Sequence, residues 1–262
     1  MSSLLAILFG LIQGATEFLP VSSSAHLTIL GYILKLQEKD ALPFFLVLHL
    51  GTLIALLIFF RKELTKLAVF SLKGDKETCR IILFIVLTTG ATGILGLSFK
   101  KFVEEAMVSI LYPAIFLILT AILLFSTKFI KEKDRKVVTL GWLSAVIIGI
   151  AQGIAVFPGI SRSGATIVSA LMVGLSREEA FDYSFIASIP AILGAFVIEF
   201  KGVTNMTNDF GLMPIIIGFL VSFIIGYLSL FFLKGCVIKG KLHYFGIYCL
   251  FISCIGFLIA FH

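Results

Sequence analysis

The sequence contains few charged residues: Asp, Glu, Lys and Arg make up 14% of its 262 residues, while 59% are hydrophobic. In soluble globular domains about one quarter of the residues are charged. This composition therefore excludes a soluble globular domain and indicates a polytopic membrane protein. The chain has 21 basic and 15 acidic residues, which gives a net charge of +6. Because no basic face or base-stacking motif accompanies this excess, we expect no nucleic-acid partner.

Cysteine is also scarce, and its spacing carries no motif. The chain lacks any CxxC pair, so we expect no metal or redox site made of thiols and treat the cysteines as structural. The four cysteines are Cys79, Cys236, Cys249 and Cys254. The amino-terminal segment lacks a positively charged region before its first apolar run, so we expect residues 1–20 to be mature structure and not a signal peptide.

Long apolar runs dominate the chain. A helix needs about 20 apolar residues to cross the hydrocarbon core of a bilayer. Six runs approach that length, near 42–60, 81–99, 107–127, 180–200, 211–233 and 242–262. Four shorter runs lie at 3–18, 23–36, 139–157 and 163–175. Pro20 and Pro158 separate the members of the two short pairs, so we predict two re-entrant hairpins that reach mid-membrane and return.

The distribution of basic residues orients the chain. Lys and Arg are concentrated in the connecting segments 61–80, 128–136 and 234–241, whereas 100–106 and 201–210 contain few. Positively charged loops remain on the cytoplasmic side. We therefore place the three rich segments inside, and the two poor segments and both termini outside.

One stretch of sequence occurs twice. Residues 13–26 read QGATEFLPVSSSAH, and residues 152–165, which begin 139 residues later, read QGIAVFPGISRSGA. Each copy would open a repeat of one hairpin and three crossings, and an odd number of crossings inverts the second repeat. We therefore predict an all-α fold of six transmembrane helices plus two re-entrant helix pairs. Repeat 1 covers 1–127, a basic cytoplasmic linker 128–137, and an inverted repeat 2 covers 138–262.

The two copies differ where they could carry chemistry. Glu17, Ser23 and His26 of the first copy correspond to Val156, Arg162 and Ala165 of the second. Ionisable residues inside a membrane are costly and mark functional sites. We therefore expect the first copy to contribute an acid, a hydroxyl and an imidazole, and the second a guanidinium, around an anion.

Serines follow the break in both copies, at Ser22, Ser23 and Ser24 and at Ser161 and Ser163. Serine is a preferred N-cap, and the free N–H groups of a helix start bind anions. Two such termini near the midplane would hold a diphosphate, with Arg162 as a bidentate donor. Simple capping explains Ser22 and Ser24 equally well and is favoured for Ser163.

The spacing of the ionisable residues suggests pairs. His26 lies three residues after Ser23, which suits a base and a nucleophile. Glu17, four residues after Gln13, could transfer protons or hold a divalent cation. A structural ion pair between Glu17 and Arg162 is the alternative.

A second histidine, His49, lies in the middle of an apolar run. Its side chain either lines the cavity of the predicted site or makes a hydrogen bond to a neighbouring backbone carbonyl, and we favour the hydrogen bond.

QGATEFLPVSSSAH and PGISRSGAT together resemble the undecaprenyl-diphosphate phosphatase family of the bacitracin-resistance type. The resemblance implies a bacterial plasma-membrane enzyme that hydrolyses undecaprenyl diphosphate to undecaprenyl phosphate and inorganic phosphate. That reaction recycles the carrier lipid of cell-wall synthesis, confers bacitracin resistance and would take its substrate from the outer face. The matching catalytic residues are Glu17, Ser23, His26 and Arg162. The phosphate-binding residues, including those expected from helix capping, are Ser22, Ser161, Ser163 and Thr166.

The resemblance also implies a divalent cation, Mg²⁺ or Ca²⁺. The family carboxylate falls on Glu17, but Gln13 stands where many relatives have a second glutamate. An amide is a weaker ligand, so Glu17 would hold the metal alone or with Gln13.

The sequence is compatible with several alternatives. Ser23 activated by His26 is the expected nucleophile, and attack by His26 or by water with Glu17 as base are alternatives. A polyprenyl-phosphate transporter or flippase would use the same inverted repeat, and a non-catalytic lipid-binding protein is a weaker alternative. Close helix contacts at the glycines would lie within one chain or in a homodimer; these are Gly90, Gly93, Gly96, Gly218 and Gly226.

Overall fold

The computed structural model describes residues 2–34, 38–107, 109–200 and 210–261, and these residues are almost entirely helical. The helices are α1 Ser3–Phe18, α2 Ser23–Ile33, α3 Glu38–Phe59, α4 Arg61–Leu72, α5 Lys76–Ser98, α6 Lys100–Met107, α7 Leu111–Ser126, α8 Trp142–Ile154, α9 Arg162–Met172, α10 Arg177–Phe200, α11 Leu212–Ile238 and α12 His243–Ala260. In this part of the chain the β contacts amount to one isolated bridge, between Arg135 and Leu175.

All ten apolar runs lie on helices, but two segments predicted as loops are also helical. Helix α4 occupies much of 61–80, and α6 covers 100–106. Their sequences, RKELTKLAVFSL and KKFVEEAM, contain no glycine or proline and are rich in strong helix formers. Charge alone had suggested loops there. The segment 201–210 lies, apart from Phe210, outside the described residues.

Four of the described helices are long and apolar enough to cross a membrane alone, namely α5, α10, α11 and α12. A fifth span arises if α3 and α4 are counted together, although they are bent by 65° at their junction. Helix α7, with 16 residues, is shorter than the about 20 residues that span a hydrocarbon core. The chain is therefore an all-α multi-pass membrane protein.

The short helices pack on long helices in a matching pattern. Helix α1 lies against α11, and α8, which carries the second copy of the repeated sequence, lies against α5. Helices α7 and α12 pack on each other. The first helix of each short pair, α1 or α8, therefore packs on a long helix from the other half of the chain.

Two equivalent glycines allow this close packing. A Cβ atom at Gly14 would lie 2.8 Å from the Ser222 carbonyl oxygen of α11. A Cβ atom at Gly153 would lie 2.7 Å from the Leu95 Cβ of α5. Any side chain at either position would force the helices apart.

The other glycines singled out in the sequence differ in their contacts with neighbouring helices. Gly218 and Gly226 face Phe44 and Thr52 of α3, so their close contacts lie within one chain. Gly90, in contrast, has no atom of the described residues within 4 Å of a built Cβ.

Candidate active site

The first tip, residues 19–22, joins α1 to α2 through an unusual backbone. Pro20 disfavours helix at the preceding residue, and Leu19 is extended with φ −62° and ψ 144°. Ser22 has φ 65°, a left-handed conformation that costs a serine about 1–3 kcal/mol. Its hydroxyl accepts a hydrogen bond from Gly159 N (3.1 Å) and lies 3.1 Å from the Ser24 hydroxyl. Ser22 lies at the N-cap position of α2, but its side chain makes no capping hydrogen bond, so the capping alternative for Ser22 is wrong and its oxygen is used by the opposite tip.

The second tip, residues 155–161, joins α8 to α9 through a conventional cap. The Ser161 hydroxyl accepts a hydrogen bond from Gly164 N at 3.1 Å, which confirms the predicted N-cap, and it lies 3.2 Å from the Ser163 hydroxyl. Ser161 N donates to the Thr120 hydroxyl (3.0 Å), which in turn donates to the Gly159 carbonyl (2.8 Å). The start of α9 is therefore fixed against α7.

Glu17 is the point at which the two tips meet. Its side chain is buried, and one carboxylate oxygen, Oε2, accepts hydrogen bonds from the Ser23 hydroxyl (2.7 Å) and Gln13 Nε2 (2.9 Å). The other oxygen, Oε1, pairs with Arg162 Nη2. The structure thus brings together the predicted acid, hydroxyl and guanidinium.

The ion pair that sequence offered as a structural alternative is therefore present. The Arg162 side chain is nevertheless 30% exposed, whereas that of Glu17 is 3% exposed. A guanidinium has five N–H donors, so the contact with a single carboxylate oxygen leaves donors for an anion. The pair is compatible with a phosphate-binding role for Arg162.

His26 does not pair with Ser23. Its Nδ1 lies 2.8 Å from the Ser22 carbonyl oxygen, and its Nε2 lies 2.9 Å from the Tyr248 hydroxyl, on which the ring also stacks. Because a carbonyl only accepts, Nδ1 donates and a neutral ring accepts at Nε2 from Tyr248. Both nitrogens are occupied and Ser23 donates to Glu17, so the predicted Ser23–His26 pair is wrong in this conformation.

His49 is a site neighbour that sequence only partly identified. Its Nδ1 lies 2.8 Å from the Phe45 carbonyl oxygen, which confirms the favoured expectation. Its Nε2 also lies 3.6 Å from Glu17 Oε2. Since Nδ1 donates to Phe45, only the imidazolium form can also donate from Nε2 to the carboxylate. The available signal was its ionisable side chain in the middle of an apolar run, which is costly in a membrane and marks a functional position.

A small cavity lies beside Arg162. Its polar lining includes Glu17, Ser163 and Thr166. The predicted phosphate-binding residues Ser163 and Thr166 therefore border it, whereas Ser22 and Ser161 bond within and between the tips. Sequence reasoning missed the remaining polar neighbours, Ser184 and Ser188 of α10. Serines are common in membrane helices, so these two gave no local signal.

The oxygen atoms available as metal ligands fit a divalent cation only as part of a larger coordination shell. Among the described residues, no three His, Cys, Asp or Glu side chains are grouped closely enough to hold a metal ion. Glu17 is accompanied by Gln13, whose buried Oε1 has no hydrogen-bond partner. Two such oxygens suit a hard cation that takes its other ligands from phosphate and water.

Comparisons with known proteins agree on one family. The family model described as Bacitracin resistance protein BacA matches residues 6–255. The undecaprenyl-diphosphatase of Treponema denticola is 42% identical over 258 residues, which cover 95% of this chain and 94% of the relative. The undecaprenyl-diphosphatase of Thermosipho melanesiensis is 40% identical, with 97% and 98% covered. That of Methanococcus maripaludis is 38% identical, with 94% and 96% covered.

Proposed function

Because the chain belongs to the bacitracin resistance protein BacA family, we propose that it is an undecaprenyl-diphosphatase whose active site lies where the two tips meet. It releases inorganic phosphate from undecaprenyl diphosphate, leaves undecaprenyl phosphate for another round of cell-wall synthesis, and so confers bacitracin resistance. The observation that carries this proposal is the Glu17 carboxylate. It contacts Arg162 through one oxygen and accepts a hydrogen bond from Ser23 through the other.

The proposed architecture is the inverted repeat of six spans and two re-entrant helix pairs, with repeats 1–127 and 138–262 and the linker 128–137. The matching packing of α1 on α11 and of α8 on α5 supports it. So do the lengths of α2 and α9, because 11 residues rise about 16 Å, half of a bilayer core. Basic segments then face the cytoplasm.

In the same orientation both termini lie outside and the site opens to the outer face of a bacterial plasma membrane. The undecaprenyl chain stays in the bilayer while the diphosphate reaches the two tips. Arg162 then exchanges its contact with Glu17 for the terminal phosphate. Ser163, Thr166 and the N–H groups at the start of α9 lie beside that position.

Once Arg162 has moved, Glu17 serves as the base for Ser23. The Ser23 oxygen attacks the terminal phosphorus, its proton passes to Glu17, and the bond from that phosphorus to the bridging oxygen breaks. The bridging oxygen leaves on undecaprenyl phosphate. After Glu17 has released its proton to solvent, water attacks the phosphoserine; Glu17 takes the proton of that water and returns one to Ser23. The positive charge of Arg162 stabilises the phosphoryl group in both steps.

His26 and the metal ion complete the proposal. His26 holds the Ser22 carbonyl, and with it the turn that carries Ser23. Direct attack by His26 Nε2 would require this atom to give up its hydrogen bond with Tyr248, while Nδ1 could remain bonded to the Ser22 carbonyl. Glu17 and Gln13 Oε1 would contribute to a Mg²⁺ or Ca²⁺ site, where the ion would offset phosphate charge.

The experiment is phosphate release from undecaprenyl diphosphate by the purified full-length chain, with Mg²⁺, Ca²⁺ or EDTA. Metal-dependent release is expected, together with an acid-stable phosphoserine at Ser23 after a rapid quench. An acid-labile phosphohistidine would transfer the nucleophile to His26, and the absence of any adduct would favour water. In proteoliposomes, lipid scrambling without phosphate release would favour the transporter alternative.

A further inference from the structure

Two serines outside the repeated motif face the site from α10. Ser184 and Ser188 are 2% and 4% exposed, and both line the cavity beside Arg162 and Thr166. Because they are four residues apart, they share one face of the helix. Helix α10 therefore borders the site along a full turn.

The two hydroxyls differ in their hydrogen bonding. Ser188 donates to the Phe185 carbonyl at 2.7 Å, so its hydrogen is already used. The Ser184 oxygen is buried and has no hydrogen-bond partner. The large majority of buried side-chain polar atoms have one, so an unpaired hydroxyl in a polar cavity indicates a partner that arrives with the ligand.

The repeat relates α10 to α3, a second helix that borders the site. It aligns Ser188 with His49, and α3 packs against α10. His49 approaches Glu17, the acid of the site, at 3.6 Å. The corresponding face of α10 lies beside Arg162, the cation of the site. Equivalent helices thus border the site, α3 through His49 and α10 through its two serines, although the offset itself aligns Ser184 with Phe45.

We infer that Ser184 donates a hydrogen bond to the terminal phosphate of the substrate held by Arg162, and to the orthophosphate formed from it. The inference rests on the proposed function, and it makes α10 a phosphate-binding element besides α2 and α9. Ser188 is excluded as a donor because its hydrogen is bound to Phe185.

The test compares Ser184→Ala with Ser188→Ala in the full-length protein. A hydrogen bond to a charged group contributes enough for Ser184→Ala to raise both KM and the inhibition constant of orthophosphate about tenfold. Ser188→Ala should leave both within about twofold of wild type, since a substitution that removes no ligand contact has a small effect. Ser184→Cys, which keeps the size but donates weakly, should behave like Ser184→Ala.

Thermal unfolding separates ligand binding from a structural role. Removing an unpaired hydroxyl leaves no group unsatisfied, so Ser184→Ala without ligand should melt at or above the wild-type temperature. Orthophosphate should raise the unfolding temperature of wild type and raise that of Ser184→Ala much less. A lower melting temperature in Ser184→Ala with unchanged KM and phosphate inhibition would overturn the inference and leave the phosphatase intact. If the wild-type protein released no phosphate, the proposed function would fail. If orthophosphate raised the unfolding temperatures of wild type and Ser184→Ala equally, the inference about Ser184 would be overturned.

Discussion

The two tips share a plan and differ in chemistry. Both follow a short helix, contain a proline at the break and lead into a new helix of 11 residues. Yet Glu17 of the first copy corresponds to Val156 of the second, and Ser23 to Arg162. The comparison teaches that two similar helix starts can differ in chemistry: in the proposed mechanism, single differences between the copies give proton transfer to the first and phosphate binding to the second.

The backbone conformations of the two tips also differ. Ser161 caps α9 from an extended conformation, whereas Ser22 has φ 65° and uses its hydroxyl to hold Gly159 of the opposite tip. Sparsely populated conformations persist where surrounding contacts enforce them, and they are concentrated at functional sites. The strained copy is the one that positions Ser23, the proposed nucleophile.

The largest expected effect tests the first copy. Glu17→Gln keeps the size of the side chain and an acceptor for Ser23 but cannot take its proton. We expect phosphate release to fall by about 10²–10⁴-fold, the usual contribution of a general base. Discontinuous assays on folded, detergent-purified protein would measure the rate of phosphate release. Release near the wild-type rate would remove proton transfer from the first tip.

The next effect tests the second copy. Arg162→Lys keeps the charge but loses the planar fork, so we expect kcat/KM to fall by about 10²-fold, mainly through KM. Steady-state kinetics would show the split. A lysine variant with unchanged KM and a lower kcat would argue that Arg162 acts on the transition state alone.

The matching packing of the two arms gives a stability prediction. Gly14→Ala and Gly153→Ala should each lower the unfolding temperature, since a Cβ would lie within 2.8 Å of the facing helix. Gly31→Ala on α2 is the matched control, because a Cβ there meets no atom of the described residues within 4 Å. Alanine should stabilise that helix by about 0.5–1 kcal/mol. Equal behaviour of all three variants would contradict the packing.

The smallest effect concerns His26. Tyr248→Phe removes the hydroxyl on Nε2 but keeps the ring that stacks on the imidazole. A single neutral hydrogen bond contributes about 1 kcal/mol, so we expect a loss of less than about tenfold in rate. If the rate instead fell as far as in Glu17→Gln, His26 would have to act in proton transfer.

Sequence predicted the helices and placed Glu17 and Arg162 in one site for physical reasons, although their ion pair was the structural alternative to an anion site. Apolar runs and two prolines locate the broken helices, and buried charge is too costly to be placed without a partner, so Glu17 and Arg162 had to converge. The partner of Ser23 was predicted incorrectly. Helix spacing favours His26, but Tyr248, 222 residues away, occupies that ring, and only the fold brings it there.

Helices α4 and α6 were missed because charge was used to infer loops, although local helix propensity was high. Ser184 and His49 lie within apolar runs, where a single polar side chain does not reveal which way its face is turned. Their positions relative to Glu17 and Arg162 depend on how α3 and α10 pack.

The division of labour between the tips is tested most directly by measuring binding and chemistry separately. Ser23→Ala and Arg162→Ala would be compared for phosphate release and for equilibrium binding of a non-hydrolysable undecaprenyl methylene-diphosphonate. We predict that Ser23→Ala binds the analogue as wild type does and releases no phosphate, while Arg162→Ala loses both. Wild-type binding by Arg162→Ala, or lost binding in Ser23→Ala, would contradict the assignment of phosphate binding to the second copy.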